Sequence, residues 1–149
     1  MLVSGTKDFP TSPEDTFKLL TNPDVIVKAM PGMKSLERIT EHSFKASMEV
    51  GVGGIKGAYD GQLDLKDVHP GKGYRLVVHG EGQLGFMDAD VKMTLAPADN
   101  GTTLSYNGEA KVGGTVAGVG QRMLSGVARM LINQFFNHVL QSANEASKA

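Results

Sequence analysis

The chain has 149 residues, 40% hydrophobic and 21% charged, the balance of one ordinary globular domain long enough to bury a core. Its 15 Lys and Arg residues against 16 Asp and Glu leave a net charge of -1. That excludes an electrostatically driven nucleic-acid binder and a polybasic membrane-surface protein. The absence of cysteine excludes disulfides, thiolate metal sites, iron–sulfur clusters and a cysteine nucleophile.

Residues 2 to 9 read as a first strand, closed by Phe9-Pro10. Ser12-Pro13-Glu14-Asp15 then signals a helix start: a serine cap, proline in the first turn, and acids where the helix dipole favours them. Phe17, Leu19 and Leu20 supply its apolar side. Asn22-Pro23-Asp24 repeats the signal, and Val25 to Met30 follow until Pro31-Gly32 stops them. Two short helices in tandem are expected, each of about two turns.

From about Met33 to Val112 the apolar period changes to two. Phe44, Ala46, Met48, Val50 and Val52 alternate with Lys45, Ser47 and Glu49. A second series runs from Ile55 through Tyr59, Leu63 and Leu65. Tyr74-Leu76-Val78, Met87 to Leu95 and Leu104 to Val112 follow. Gly53-Gly54, His69-Pro70-Gly71 and Asn100-Gly101 punctuate them as turns. The reading is six further strands in an antiparallel meander with one wet face. Glycines inside strands mark sharp bends or close approaches.

A long helix is predicted from roughly Val116 to Asn144. At about 100° per residue, Met123, Leu124, Val127, Ala128, Leu131, Ile132, Phe135 and Val139 form a broad apolar arc centred on Leu131. Arg122, Arg129, Asn133 and Asn137 form the wet side, and Gln134 and His138 fall inside the arc. The element order gives an α+β domain: a curved antiparallel sheet wrapped around a long C-terminal helix, with two small helices after the first strand.

Candidate chemistry is sparse. The four histidines, His42, His69, His79 and His138, show no metal-ligand spacing. The run Gly113-Gly114-Thr115-Val116-Ala117-Gly118-Val119-Gly120 stands where phosphate loops stand, yet it lacks the lysine of a P-loop and follows the last strand. It reads as close backbone packing at the sheet-to-helix turn, at the mouth of any cavity. Asp60 with Asp64, and Asp88 with Asp90, alternate with apolar residues and should face water. No G-x-S-x-G elbow is present.

Methionine is informative, at 8 residues with no tryptophan. Met30, Met48, Met87, Met93, Met123 and Met130 fall on apolar sides of several elements. Methionine suits adaptable binding surfaces but fills cores loosely. Two readings stay open: a solid core, or an apolar ligand cavity with a few polar handles. A cavity would be lined by Phe17 and Met30 from the small helices and by Met48, Tyr59, Leu63, Val78, Met87, Val91 and Tyr106 from the strands. Leu124, Val127, Leu131, Gln134, Phe135 and His138 would close it from the long helix, with His138 as a polar handle at one end. No cofactor and no catalytic residue are expected.

Several stretches together resemble the CoxG family, named for carbon monoxide dehydrogenase. They are Asn22-Pro23-Asp24 with Ala29-Met30-Pro31-Gly32, Met48-Glu49-Val50-Gly51, Ile55-Lys56-Gly57, Asp60-Gly61, Gly80-Glu81-Gly82, Thr103-Leu104-Ser105-Tyr106, Val112-Gly113-Gly114, Ala117 to Arg122, and Phe135-Phe136. The resemblance spans about residues 2 to 140, with Ala29 where a cysteine is usual. It implies a single START-like (SRPBCC) helix-grip domain over 1–149: seven antiparallel strands gripping the long helix around a lipophilic cavity. It also implies a non-enzymatic accessory to a molybdenum-containing carbon monoxide dehydrogenase or related hydroxylase, binding a quinone or lipid. The rivals are a cyclase- or hydrolase-type enzyme in the same fold and a structural adaptor with a solid core. The opening MLVSGTKDFP has no apolar signal core, so a cytoplasmic protein with at most transient membrane contact is expected.

Overall fold

Period-2 alternation builds seven strands and one continuous antiparallel sheet in the computed structural model, which describes residues 1–148. The strands are β1 (Leu2–Phe9), β2 (Met33–Thr40), β3 (Ser43–Val50), β4 (Gly57–His69), β5 (Gly73–Gly82), β6 (Gly85–Ala98) and β7 (Gly101–Gly113). β2 to β7 form the expected meander, and β1 closes on β7 to give the order β1-β7-β6-β5-β4-β3-β2. Successive pairs Phe44↔Leu63, Leu63↔Val78, Val78↔Ala89 and Ala89↔Ala110 put the apolar alternates of β3 to β7 on one inner face.

The helix starts follow their caps. α1 (Pro13–Thr21) begins where the Ser12 hydroxyl accepts the Asp15 N–H at 3.2 Å. α2 (Pro23–Ala29) begins where Asn22 Oδ1 accepts the Asp24 N–H at 3.0 Å. α1 is seated by Phe17, edge-on to Tyr74 with ring centroids 5.7 Å apart. Buried hydroxyls add to this: Thr102 donates to Thr11 O at 2.7 Å, and Thr11 and Thr16 share a 2.7 Å bond.

The long helix α3 (Gln121–Lys148) starts five residues later than its apolar pattern suggests. Thr115–Val119 instead forms a separate 3-10 turn, because Gly120 takes a φ of 95° and interrupts the helical run. A first 3-10 turn, Gly53–Ile55, likewise precedes β4, so Ile55 is not part of that strand.

Phe9, Phe44, Leu65, Tyr74, Met93, Leu95 and Leu104 of the sheet meet Leu20, Ala29, Phe136, Val139 and Ala143 in the core. The buried side of α3 therefore centres on Ile132, Phe136, Val139 and Ala143, and the expected centre at Leu131 is displaced to its flank. Met123 and Met130, placed on apolar sides by pattern, are 49% and 39% exposed. The apolar stripe on the first half of α3 is wider than the sheet contact, so periodicity alone could not choose its inward direction. These elements form the α+β helix-grip fold, with the sheet wrapped around α3.

Candidate functional site

Burial along the inner face falls steeply from one end of the sheet to the other. At the end covered by α1 and α2, Phe44, Leu65, Tyr74 and Met93 are buried. A few residues away on the same strands, Met48, Tyr59, Val78 and Met87 are only half-buried. Gly61 and Gly80 face each other in register between these levels, and Gly82 follows opposite Tyr59. A Cβ on Gly82 would lie 2.5 Å from Ala58 O and 3.0 Å from the Tyr59 ring, so the strand pair closes there only without a side chain. These three glycines add no volume above the floor.

The first half of α3 carries Leu124, Val127 and Leu131, all half-buried, whereas its second half carries the buried Phe136, Val139 and Ala143. The helix is thus packed tightly at one end and loosely at the other. These half-buried apolar side chains of the strands and of α3 are the candidate lining of a groove. From β3 to β7 the inner register contains no charged residue. The Tyr59 hydroxyl is already committed, donating to Ile55 O at 2.7 Å, and burial raises its pKa.

The fifteen residues expected to line a cavity divide three ways. Phe17, Leu63, Val91, Tyr106 and Phe135 pack against the core, Tyr106 stacking obliquely on Phe136 at 5.2 Å. Met30, Met48, Tyr59, Val78, Met87, Leu124, Val127 and Leu131 lie outside that cluster, half-buried, and are the groove candidates. Gln134 and His138 are exposed, contrary to their expected inward position. With α3 turned onto Phe136 and Val139, these two side chains rotate outward.

His138 Nδ1 then donates to Ala29 O at 3.1 Å, beside a shallow concavity of about 300 Å³ between α2 and α3 that includes Asp24, Lys28 and Glu145. His138 is a helix-to-helix tie and not a handle in the groove. His138→Ala should leave the binding of an uncharged fluorescent lipophile unchanged in a titration. It should cost about 1 kcal/mol in denaturant unfolding, one hydrogen bond's worth.

Sequence reasoning missed the burial of Phe136 and the 3-10 form of the two turns, in which Ile55 and Val116 are buried. Phe135 and Phe136 are adjacent, about 100° apart on the helix, and only packing could rank them. The glycines around both turns were the available signal for the turns.

The outer face is polar, as the alternation of Asp60, Asp64, Asp88 and Asp90 required. It holds an open concavity of about 560 Å³ lined by residues including Asp64, His79, Asp88, Asp90 and Lys111. His79 Nδ1 lies 2.6 Å from Asp88 and Nε2 3.5 Å from Glu81, and these carboxylates hold its pKa above the ordinary imidazole value. Arg75 pairs with Asp90 and, at 3.2 Å, with Asp67. Ser43 donates to Asp64 at 2.6 Å, the main reason its pKa is lowered. These charges are satisfied by one another and by solvent. Among the described residues no group of three or more His, Asp or Glu is placed to hold a metal ion. No described helix is long and apolar enough to cross a membrane.

Comparison with solved structures agrees with this architecture. A conserved protein of Geobacillus kaustophilus matches with a TM-score of 0.94 and 37% identity, over 98% of this chain and 97% of its own. A Thermus thermophilus protein matches at 0.73 and 12% identity, over 99% of each chain. The di-domain ARO/CYC StfQ from the steffimycin biosynthetic pathway matches at 0.72 and 13% identity, over 99% of this chain and 52% of its own. The last two show the fold alone. No curated protein matches the chain. The family model of the carbon monoxide dehydrogenase G-subunit (CoxG) matches residues 5–144. With that match running from β1 into α3, the chain belongs to the carbon monoxide dehydrogenase CoxG family.

Proposed function

We propose that the protein is a non-enzymatic binder of an uncharged lipophilic small molecule, of quinone or lipid type, held in the groove between α3 and the inner face. The observation that carries this reading is the half-exposed, wholly apolar wall formed by Met48, Val78, Met87, Leu124, Val127 and Leu131. The chain exposes 8574 Å² of surface at 15.8 kDa. A compact monomer of that mass exposes about 7,300 Å².

The physics of such a site is desolvation. Each 100 Å² of apolar ligand surface withdrawn from water contributes about 2.5 kcal/mol before association costs. A ligand with a buried charge would lose several kcal/mol, because no opposite charge stands in the inner register of β3 to β7 to repay its desolvation. Methionine walls suit a flexible or irregular ligand, since their side chains adapt shape at low cost. An enzyme of cyclase or hydrolase type needs an inward ionisable group; the inner register from β3 to β7 offers only tyrosine hydroxyls, and Lys7 in the inner register of β1 is tied to Asn137 of α3 at 2.8 Å.

Family membership and the fold support a ligand-binding accessory role in general. We assign the partner as a molybdenum-containing carbon monoxide dehydrogenase or related hydroxylase, served in the cytoplasm with transient membrane contact. Native mass spectrometry of protein purified from its own host tests the reading. A retained uncharged lipophile in stoichiometric amount is the expected result. A ligand-free protein that also takes up no lipophile from solution overturns it.

A further inference from the structure

The two edges of the sheet are not alike. β2, at one edge, pairs with β3 through two register shifts, between Met33 and Ser35 and between Arg38 and Thr40. Irregularities of that kind twist an edge away from further pairing. β1, at the other edge, keeps one unbroken register with β7 from Leu2↔Glu109 to Phe9↔Thr102. Met1 and Ala110 exchange both backbone bonds, at 2.9 and 2.8 Å. The alternation of an antiparallel ladder then turns Val3, Gly5 and Lys7 toward β7. The N–H and C=O groups of Leu2, Ser4, Thr6 and Asp8 point away from the sheet, and no other described residue bonds them.

Beside this edge α3 carries side chains that the core does not use. The Lys7 ammonium donates to Asn137 Oδ1 at 2.8 Å, so the Asn137 side of α3 borders β1. At about 100° per residue, Met130, Gly126 and Met123 recur on that side about two, three and four turns earlier. Met123 and Met130 are exposed there, and a Cβ on Gly126 would meet nothing within 4 Å. A glycine in mid-helix weakens the helix, and no neighbour in this chain requires one here. It leaves room for a backbone from outside to lie close.

The charges on this strip are of one sign. Arg122 and Arg129 are exposed between the Asn137 side of α3 and the side that packs on the sheet. Among the described residues, neither they nor Lys7 forms an ion pair. α3 has no Asp or Glu before Glu145, and the inner register of β1, Val3, Gly5 and Lys7, has none. On a chain of net charge -1, this is a local cationic strip with apolar side chains along it.

We propose that the β1 edge is a docking site for an extended acidic segment of a partner protein, which adds to the sheet as one more strand. Its backbone takes up the outward N–H and C=O groups of Leu2, Ser4, Thr6 and Asp8. Its alternate side chains point into the strip beside α3, carboxylates toward Lys7, Arg129 and Arg122 and apolar ones against Met123 and Met130. Charge selects this occupant over a second copy. Two β1 edges joined about a two-fold axis would set two cationic strips side by side with no carboxylate between them. The site lies on the flank of α3 away from Leu124 and Leu131, and it does not depend on what the groove binds.

The test is titration of ¹⁵N-labelled protein with the capped peptide acetyl-Glu-Thr-Leu-Thr-Glu-Thr-Leu-Thr-amide, whose Glu and Leu share one face of a strand. Saturable binding should slow amide hydrogen exchange at Leu2, Ser4, Thr6 and Asp8 by about tenfold or more. Arg122→Glu with Arg129→Glu should weaken that binding by about tenfold or more. Both arginines are exposed, so the double variant should keep the wild-type melt. The same peptide with Lys for Glu, or with alternate peptide nitrogens methylated, should not bind. No binding by the acidic peptide, equal binding by the lysine peptide, or protection confined to other amides overturns the proposal. A dimer in sedimentation that protects the same amides without peptide overturns it in favour of a second copy. Binding to phosphatidylglycerol vesicles that the arginine variant loses, with no peptide binding, overturns it in favour of a lipid surface.

Discussion

Phe136→Ala should lower the stability of the fold by about 3–5 kcal/mol, the cost of removing a buried aromatic ring together with the cavity it leaves. Phe136 is 5% exposed, with Tyr106 at 5.2 Å and Phe135 at 5.4 Å between ring centroids. It is the point where the second half of α3 meets β7. Its neighbours cannot collapse into the space easily: Tyr106 is fixed in a paired strand opposite Gly5, and Val139 is wholly buried one turn on. The melting temperature should fall by on the order of 10 °C. A loss below about 1 kcal/mol in denaturant unfolding would mean that the helix is held elsewhere.

Leu131→Trp should behave oppositely. Leu131 is half-buried and outside the core cluster, on the flank of α3 assigned to the proposed groove. In a close-packed site the larger ring would cost roughly 1–3 kcal/mol through overpacking. If the proposed groove is there, the indole enters it and the melt should stay near that of the wild type. The ring then fills space a ligand would use, and binding of N-phenyl-1-naphthylamine should be lost. A clear drop in stability with probe binding intact would show that Leu131 packs on a solid core, and the groove would then lie elsewhere.

The contrast between these two side chains locates the limit of sequence reading. Alternation in Phe44-Ala46-Met48 and Leu63-Leu65 determines which face of each strand is inner, because a strand's period is two and a slip of one residue would expose the whole set. Ser12-Pro13 and Asn22-Pro23 determine where α1 and α2 begin, because a capping side chain acts on an N–H two or three residues away. Such signals are local. For α3 the local signal is ambiguous, since Met123, Val127, Met130 and Leu131 widen the apolar arc beyond what one contact uses. The rotation that buries Phe136 and exposes Gln134 and His138 is chosen by Tyr106, Val139 and α2, most of them remote in sequence.

The same division applies to the candidate site. The inward registers of Met48, Met87 and Tyr59 were legible from alternation, and the order of elements by itself determined a curved meander closed by a long helix. That order leaves one apolar sheet face and one element long enough to cover it. The tertiary structure alone decided that cover is tight at the Phe136 end and loose at the Leu124 end, and that Gly54 of one 3-10 turn meets Val119 of the other. Both depend on how far the sheet curls across three strands, a cumulative property of twist and glycine placement that no window of sequence contains.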